Sequence, residues 1–253
     1  MSSLDAKHYL LDIALRHDRV PSFDRYPFHL PAVKHLGRLQ FHPAITFFVG
    51  ENGSGKSTLL EAIAVAWGFN PEGGTRNFNF QTRASHSALS SCLRLGRGVA
   101  RARDGYFLRA ESYFNVATEI EKLDEEPAPA PPIINSYGYR SLHEQSHGES
   151  FMALVKNRFS GGSFFVLDEP EAALSPTRQM TLLHRMHELV GAGAQFIVAT
   201  HSPILISYPH AKILEIGDEG LVETPYKETQ VFRTTRDFLN APERHLHHLL
   251  DQQ

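Results

Sequence analysis

The sequence predicts an α/β fold with a mainly parallel central sheet flanked by helices. The runs AITFFVG (44–50), SFFVLDEP (163–170) and QFIVATHSP (195–203) are short and mostly apolar, and each ends abruptly in glycine, acids or a polar turn. Strands covered by helices on both faces read this way. Longer segments with apolar residues at helical spacing follow the first two, and this alternation marks an α/β chain.

Taken in order, AITFFVG is a buried strand and STLLEAIAVAWGF (57–69) the helix after it. SFFVLDEP is the second strand. Ser175 and Pro176 then supply an N-cap and a first-turn proline for TRQMTLLHRMHELV, and Gly191 supplies its stop. QFIVATHSP is the third strand. KILEIGDEGLVET (212–224) reads as a hairpin turning at Gly217–Gly220, and DFLNAPERHLHHLL as one terminal helix. Residues 70–135 differ in character: an arginine-rich run, a short helical candidate and a Pro/Ala-rich linker at 124–132. They are expected to form an α+β lobe inserted into one domain spanning 1–253, with the linker extended and solvated.

A chain of 253 residues, 42% hydrophobic, can bury a sizeable core. Its net charge of −3 exerts no global pull on nucleic acid or anionic membranes. The single cysteine, Cys92, excludes an intramolecular disulfide and fits a reducing, cytoplasmic setting. No apolar stretch reaches the roughly 18 residues that a membrane span needs, so no membrane insertion is expected.

GENGSGKST (50–58) matches G-x-x-x-x-G-K-[ST] between a strand and a helix. Backbone N–H groups of Gly50, Glu51, Asn52, Gly53, Ser54 and Gly55 can converge on phosphates, and the helix N-terminus adds partial positive charge. Lys56 supplies a mobile cation, Ser57 a hydroxyl for Mg²⁺, and Thr58 completes the motif. The substrate expected is ATP with Mg²⁺. Asp168 and Glu169 emerge at the end of the second strand, where Asp168 can hold the metal and Glu169 can act as general base on water. Glu171 reads as a solvated acid. His201 ends the third strand, placed to meet the γ-phosphate or the attacking water.

The order of these motifs resembles the ABC-type ATPase family over about residues 30–217. It is most similar to small soluble stand-alone bacterial ATPases related to SMC and recombination-protein heads. That family carries an L-S-G-G-Q signature about twenty residues before its second acidic strand. Here EQSHGES (144–150) aligns as Gln145-Ser146-His147-Gly148-Glu149, with His147 for a glycine and Glu149 for the glutamine. The resemblance implies that Ser146 and Gly148 complete the ATP site of a second copy, giving a head-to-tail homodimer on ATP binding. It also implies a Q-loop glutamine that senses the metal, for which Gln81 is the candidate. Tyr26 and Phe28 either stack on adenine or pack in the core. The arginines Arg94, Arg97, Arg101, Arg103 and Arg109 either track nucleic-acid phosphates or form a solvated strand face. The function implied is an ATP-driven dimerisation switch in repair, recombination or phage defence, with an unidentified protein partner. The alternative is the nucleotide-binding subunit of a membrane transporter.

Overall fold

The computed structural model describes residues 8–75, 88–109 and 146–250, together with 118, 121, 124, 132, 134 and 135. Gln81, Gln145 and linker residues 125–131 lie outside the described residues.

Nine strands form two sheets among the described residues. The larger has six strands in the order β5 (Gly105–Arg109), β6 (Phe164–Asp168), β7 (Gln195–Ala199), β3 (Ile45–Gly50), β8 (Lys212–Gly217) and β9 (Gly220–Glu223). The first five are parallel, and β9 pairs antiparallel with β8 through the turn at Gly217–Gly220. The smaller sheet is antiparallel, in the order β2 (Arg38–Gln40), β1 (Leu10–Leu15) and β4 (Leu93–Arg97).

Side chains alternate across the larger sheet with a period of two. Phe47, Val49, Phe165, Leu167, Phe196 and Val198 face one core, packed on helices α4 (His147–Asn157) and α5 (Pro176–Gly191). Phe48, Phe164, Val166 and Ile197 face the other, formed with α2 (Lys56–Trp67) and the antiparallel sheet. Two short helices, α1 (Pro31–Lys34) and α3 (Leu89–Cys92), add to this second core. Gln195, fully buried, ties the sheets together. Its Oε1 accepts from the backbone N–H groups of Tyr9 and Leu10 at 3.1 and 2.9 Å, and its Nε2 donates to the carbonyls of Leu10 and His42. Every polar atom of this buried amide is satisfied, so it specifies the join without a desolvation penalty.

The inserted-lobe boundaries need correcting. Residues 93–97 and 105–109 belong to the sheets: β4 pairs with β1, and β5 is the parallel edge strand beside β6. The arginine-rich run thus contains two strands, whose charges disguise the apolar positions Leu93, Tyr106, Phe107 and Leu108. A second correction concerns the C-terminus, where two helices stand in place of one: α6 (Gln230–Asn240) and α7 (Pro242–Leu250). Pro242 has no N–H to continue α6, but its fixed φ suits the first turn of a new helix.

Candidate functional site

The P-loop, the two acids and the histidine meet at one edge of the sheet, because β3, β6 and β7 are parallel neighbours that end together. Gly55 caps α2 at φ 98°, and a Cβ there would lie 3.2 Å from Leu30 and Ala32. Only glycine combines that conformation with so close an approach. Lys56 is buried and folds back over the loop, its Nζ donating to the carbonyls of Gly50 at 2.9 Å and Glu51 at 2.8 Å. Burial lowers its pKa from the usual lysine value, opposed by the negative charges of Glu169, Asp168, Glu171 and Glu51. Ser54 Oγ is buried without a hydrogen-bond partner among the described residues.

Ser57 Oγ donates to Asp168 Oδ1 at 2.9 Å. A hydroxyl from the first turn of α2 and a buried carboxylate from the end of β6 thus converge, the donor pair a hard divalent cation takes. Arg109, at the end of β5, donates to Glu61 Oε2 at 2.7 Å and places its Nε 4.0 Å from Asp168 Oδ2. Arg109 and Glu61 are site-lining residues that the sequence reading did not assign to the site. Because β5 pairs with β6, Arg109 lies directly opposite Asp168.

Glu169 adopts φ 49°, ψ 51°, a left-handed conformation unusual for a residue with a side chain. Its N–H donates to the Ala199 carbonyl at 2.9 Å, and its Oε1 lies 3.6 Å from His201 Nε2. The general-base candidate Glu169 and His201 therefore face each other. Glu171 departs from the solvated reading: its Oε1 accepts from the His201 backbone N–H at 2.6 Å, and its Oε2 is buried. No local pattern announces this, since β7 approaches only through the tertiary fold.

A cleft of about 310 Å³ beside the loop is lined by Tyr26, Leu30, Asn52, Lys56, Thr58 and Glu169, among others. Tyr26 is 65% exposed there, with its hydroxyl 3.2 Å from Thr58 Oγ1. Phe28, by contrast, is buried in the core.

Ser146 and Gly148 make their contacts elsewhere. Ser146 is the N-cap of α4, exposed, donating from both N–H and Oγ to Glu149 Oε2 at 3.1 and 2.7 Å. Gly148 is buried, packed close to Arg178 and the Ala173 carbonyl. The arginine run also divides. Arg94, Arg97, Arg101 and Arg103 are all exposed, but Arg97 also donates to the carbonyls of Ala66 and Trp67 at the end of α2.

The segments that carry these motifs are matched by family models of known proteins. A family model described as "AAA domain" matches residues 32–122, which hold the P-loop. Another, described as "AAA domain, putative AbiEii toxin, Type IV TA system", matches residues 150–207, which hold Asp168, Glu169 and His201. A Caldanaerobacter subterraneus protein named "Putative ABC transporter ATP-binding protein" is 26% identical over 241 residues, 85% of this chain and 94% of its own. Among solved structures, cbiO1 from Clostridium perfringens, part of the ABC transporter complex cbiONQ, aligns with TM-score 0.48 at 16% identity. It covers 96% of this chain and 99% of its own. The SMC head domain from Thermotoga maritima aligns with TM-score 0.44 at 17% identity, over 86% of this chain and 99% of its own. With the two family matches falling on the segments that hold the P-loop and the Asp168, Glu169 and His201 strand ends, the chain is similar to P-loop ATPases of the AAA/ABC type.

Proposed function

We propose that the chain is an ATP-driven dimerisation switch, acting as a soluble ATPase outside membrane transport. Two copies take up two ATP molecules head to tail, hydrolyse them and separate. Lys56, Ser54 and the loop N–H groups of one copy bind the phosphates. Ser57 and Asp168 would hold Mg²⁺, which would supply charge neutralisation at the transferred phosphoryl group. Glu169 takes the proton of the attacking water, with His201 beside it to hydrogen-bond the γ-phosphate. Gln81 is proposed as the metal-sensing glutamine. Tyr26, exposed in the loop cleft, is the better of the two candidates to stack on adenine.

The observation that carries the dimer is the N-terminus of α4. Ser146 is exposed and its hydrogen bonds run to Glu149, whereas Ser57 already has its own-chain partner in Asp168. The α4 end, with its partial positive charge, is thus available to a phosphate held by a second copy. Arg178, 3.7 Å from Glu149, offsets the carboxylate at that end. Gly148 contributes by letting α4 seat closely on Arg178 and Ala173.

Glu169→Gln tests both parts. It should retain ATP binding, lose about 100-fold or more of turnover, as removal of a general base does, and accumulate an ATP-bound dimer on gel filtration. Wild-type turnover would overturn the assignment of Glu169, and a monomer under ATP would overturn the dimer.

The work we propose for the switch lies in repair, recombination or phage defence. The AbiEii toxin of a Type IV TA system, named in one family description, leans toward defence. Exposed Arg94, Arg101 and Arg103 could contact nucleic acid, and a salt-sensitive affinity lost on neutralising Arg101 and Arg103 would establish it. The second reading, a transporter subunit, is favoured by the name of the Caldanaerobacter relative. Stable co-purification with a multi-span permease would select it.

A further inference from the structure

We propose that Glu171 is a positioning residue for hydrolysis, holding the backbone of His201 so that the imidazole stays beside Glu169. The inference rests on the roles given above to Glu169 and His201.

Two hydrogen bonds cross between the ends of β6 and β7. Glu169 N–H donates to the Ala199 carbonyl at 2.9 Å, and His201 N–H donates to Glu171 Oε1 at 2.6 Å. They bracket the pair of side chains that face each other at 3.6 Å. The first fixes Glu169 to the sheet. The second does the same for His201, two residues beyond the end of β7 at Ala199.

Downstream, the same loop is anchored again. Ser202 Oγ donates to Gln179 Oε1 at 2.6 Å and accepts from the N–H groups of Ile204 and Leu205 at 3.1 Å. Among the described residues, the Glu171 bond ties the backbone of His201 itself to the segment that carries Glu169. A charge-assisted bond to a backbone N–H is short and directional. Catalytic groups misplaced by even about 1 Å can lose about 100-fold in rate. The carboxylate's negative charge also reaches Lys56, so an alternative is that charge, not reach, is what Glu171 supplies.

Two substitutions separate reach from charge. Glu171→Gln keeps an Oε1 acceptor at full side-chain length and removes the charge. Glu171→Asp keeps the charge and shortens the side chain by one methylene. Positioning ranks Gln above Asp: kcat should recover to within about threefold for Gln, the scale of exchanging a charged for a neutral acceptor. For Asp and Ala it should fall about tenfold or more, with KM for ATP changed less than about twofold. In a His201→Ala background, Glu171→Ala should cost nothing further, because the group being positioned is gone.

Asp retaining more rate than Gln would overturn the proposal. So would an undiminished loss in the His201→Ala background, or a rise in KM at constant kcat. If Glu171→Ala fails to fold, the Gln and Asp ranking still decides. A chain in which Glu169→Gln or His201→Ala leaves turnover intact would refute the underlying roles. Normal loss in those variants with a flat Glu171 series refutes only this inference.

Discussion

Ser57 Oγ donates to Asp168 Oδ1 across 2.9 Å, joining the first turn of α2 to the last residue of β6. Asp168 is 6% exposed, so the bond also satisfies a carboxylate oxygen removed from water. The pair fits Mg²⁺, with Ser57 as a neutral oxygen ligand and Asp168 as the anionic one. Asp168→Asn keeps the shape and removes the charge. It should lower kcat/KM for Mg·ATP by about 100-fold or more, since metal charge stabilisation is worth several kcal/mol, while metal-free ATP binding persists. A Mg²⁺ titration of turnover, read beside ATP binding in EDTA, checks this. An unchanged Mg²⁺ midpoint would remove Asp168 from the metal site.

Gly148 demands its small size for a reason internal to the chain. A Cβ there would lie 2.7 Å from the Ala173 carbonyl and closer still to the Arg178 guanidinium. The arginine can swing away, but the carbonyl belongs to the turn after Glu169 and cannot move freely. Gly148→Ala should destabilise the fold by about 1–3 kcal/mol, the usual cost of overpacking. Thermal melting would register this as a drop of several degrees, and a midpoint equal to wild type would contradict the packing.

What the sequence made legible follows from where chemistry sits in a parallel sheet. Phe164–Asp168 and Gln195–Ala199 are buried on both faces, so they appear as unbroken apolar runs whose terminal residues stand out. Asp168, Glu169 and His201 could be named because strand ends carry the polar groups. β1 went unassigned because its neighbours β2 and β4 lie far along the chain and its Asp12 interrupts the apolar pattern, although Asp12 is buried and paired with Arg38 at 2.8 Å. Arg109 and Glu171 were missed as site residues for a related reason. Each acquires its meaning from a residue on another strand, Asp168 in one case and His201 in the other, and no local spacing encodes such a meeting.

Arg97 illustrates how charge in this chain can be structural. Its guanidinium donates to the carbonyls of Ala66 and Trp67 at 3.2 and 3.3 Å and lies 4.5 Å from the centre of the Trp67 ring. A cation is favourable at a helix C-terminus, and α2 is the helix that carries the P-loop. Arg97→Ala should therefore cost about 1–2 kcal/mol, combining the lost cap with the lost cation–π contact. Arg101→Ala, at an exposed position of the same run, should stay within about 0.5 kcal/mol of wild type. Urea denaturation of the two variants gives the comparison, and equal losses would argue against the cap.

His42 should make stability depend on pH. Its Nδ1 accepts from the backbone N–H groups of Ala44 at 3.1 Å and Ile45 at 3.4 Å, at the entrance to β3. Burial first, and then the positive charges of His8, Lys212 and His210, lower its pKa from 6.5, against an opposing effect of Glu223. The unfolded chain therefore binds this proton more readily than the folded one. Stability from neutral His42 is fully present above pH 6.5 and is lost as pH falls below it, at no more than about 1.4 kcal/mol per pH unit for one proton. His42→Asn retains a side-chain acceptor that does not titrate. The variant should be the less stable protein at pH 7.5, with the gap narrowing at pH 5.5. Urea midpoints for both proteins at the two pH values measure that gap, and a constant difference would show that His42 does not contribute to the acid response.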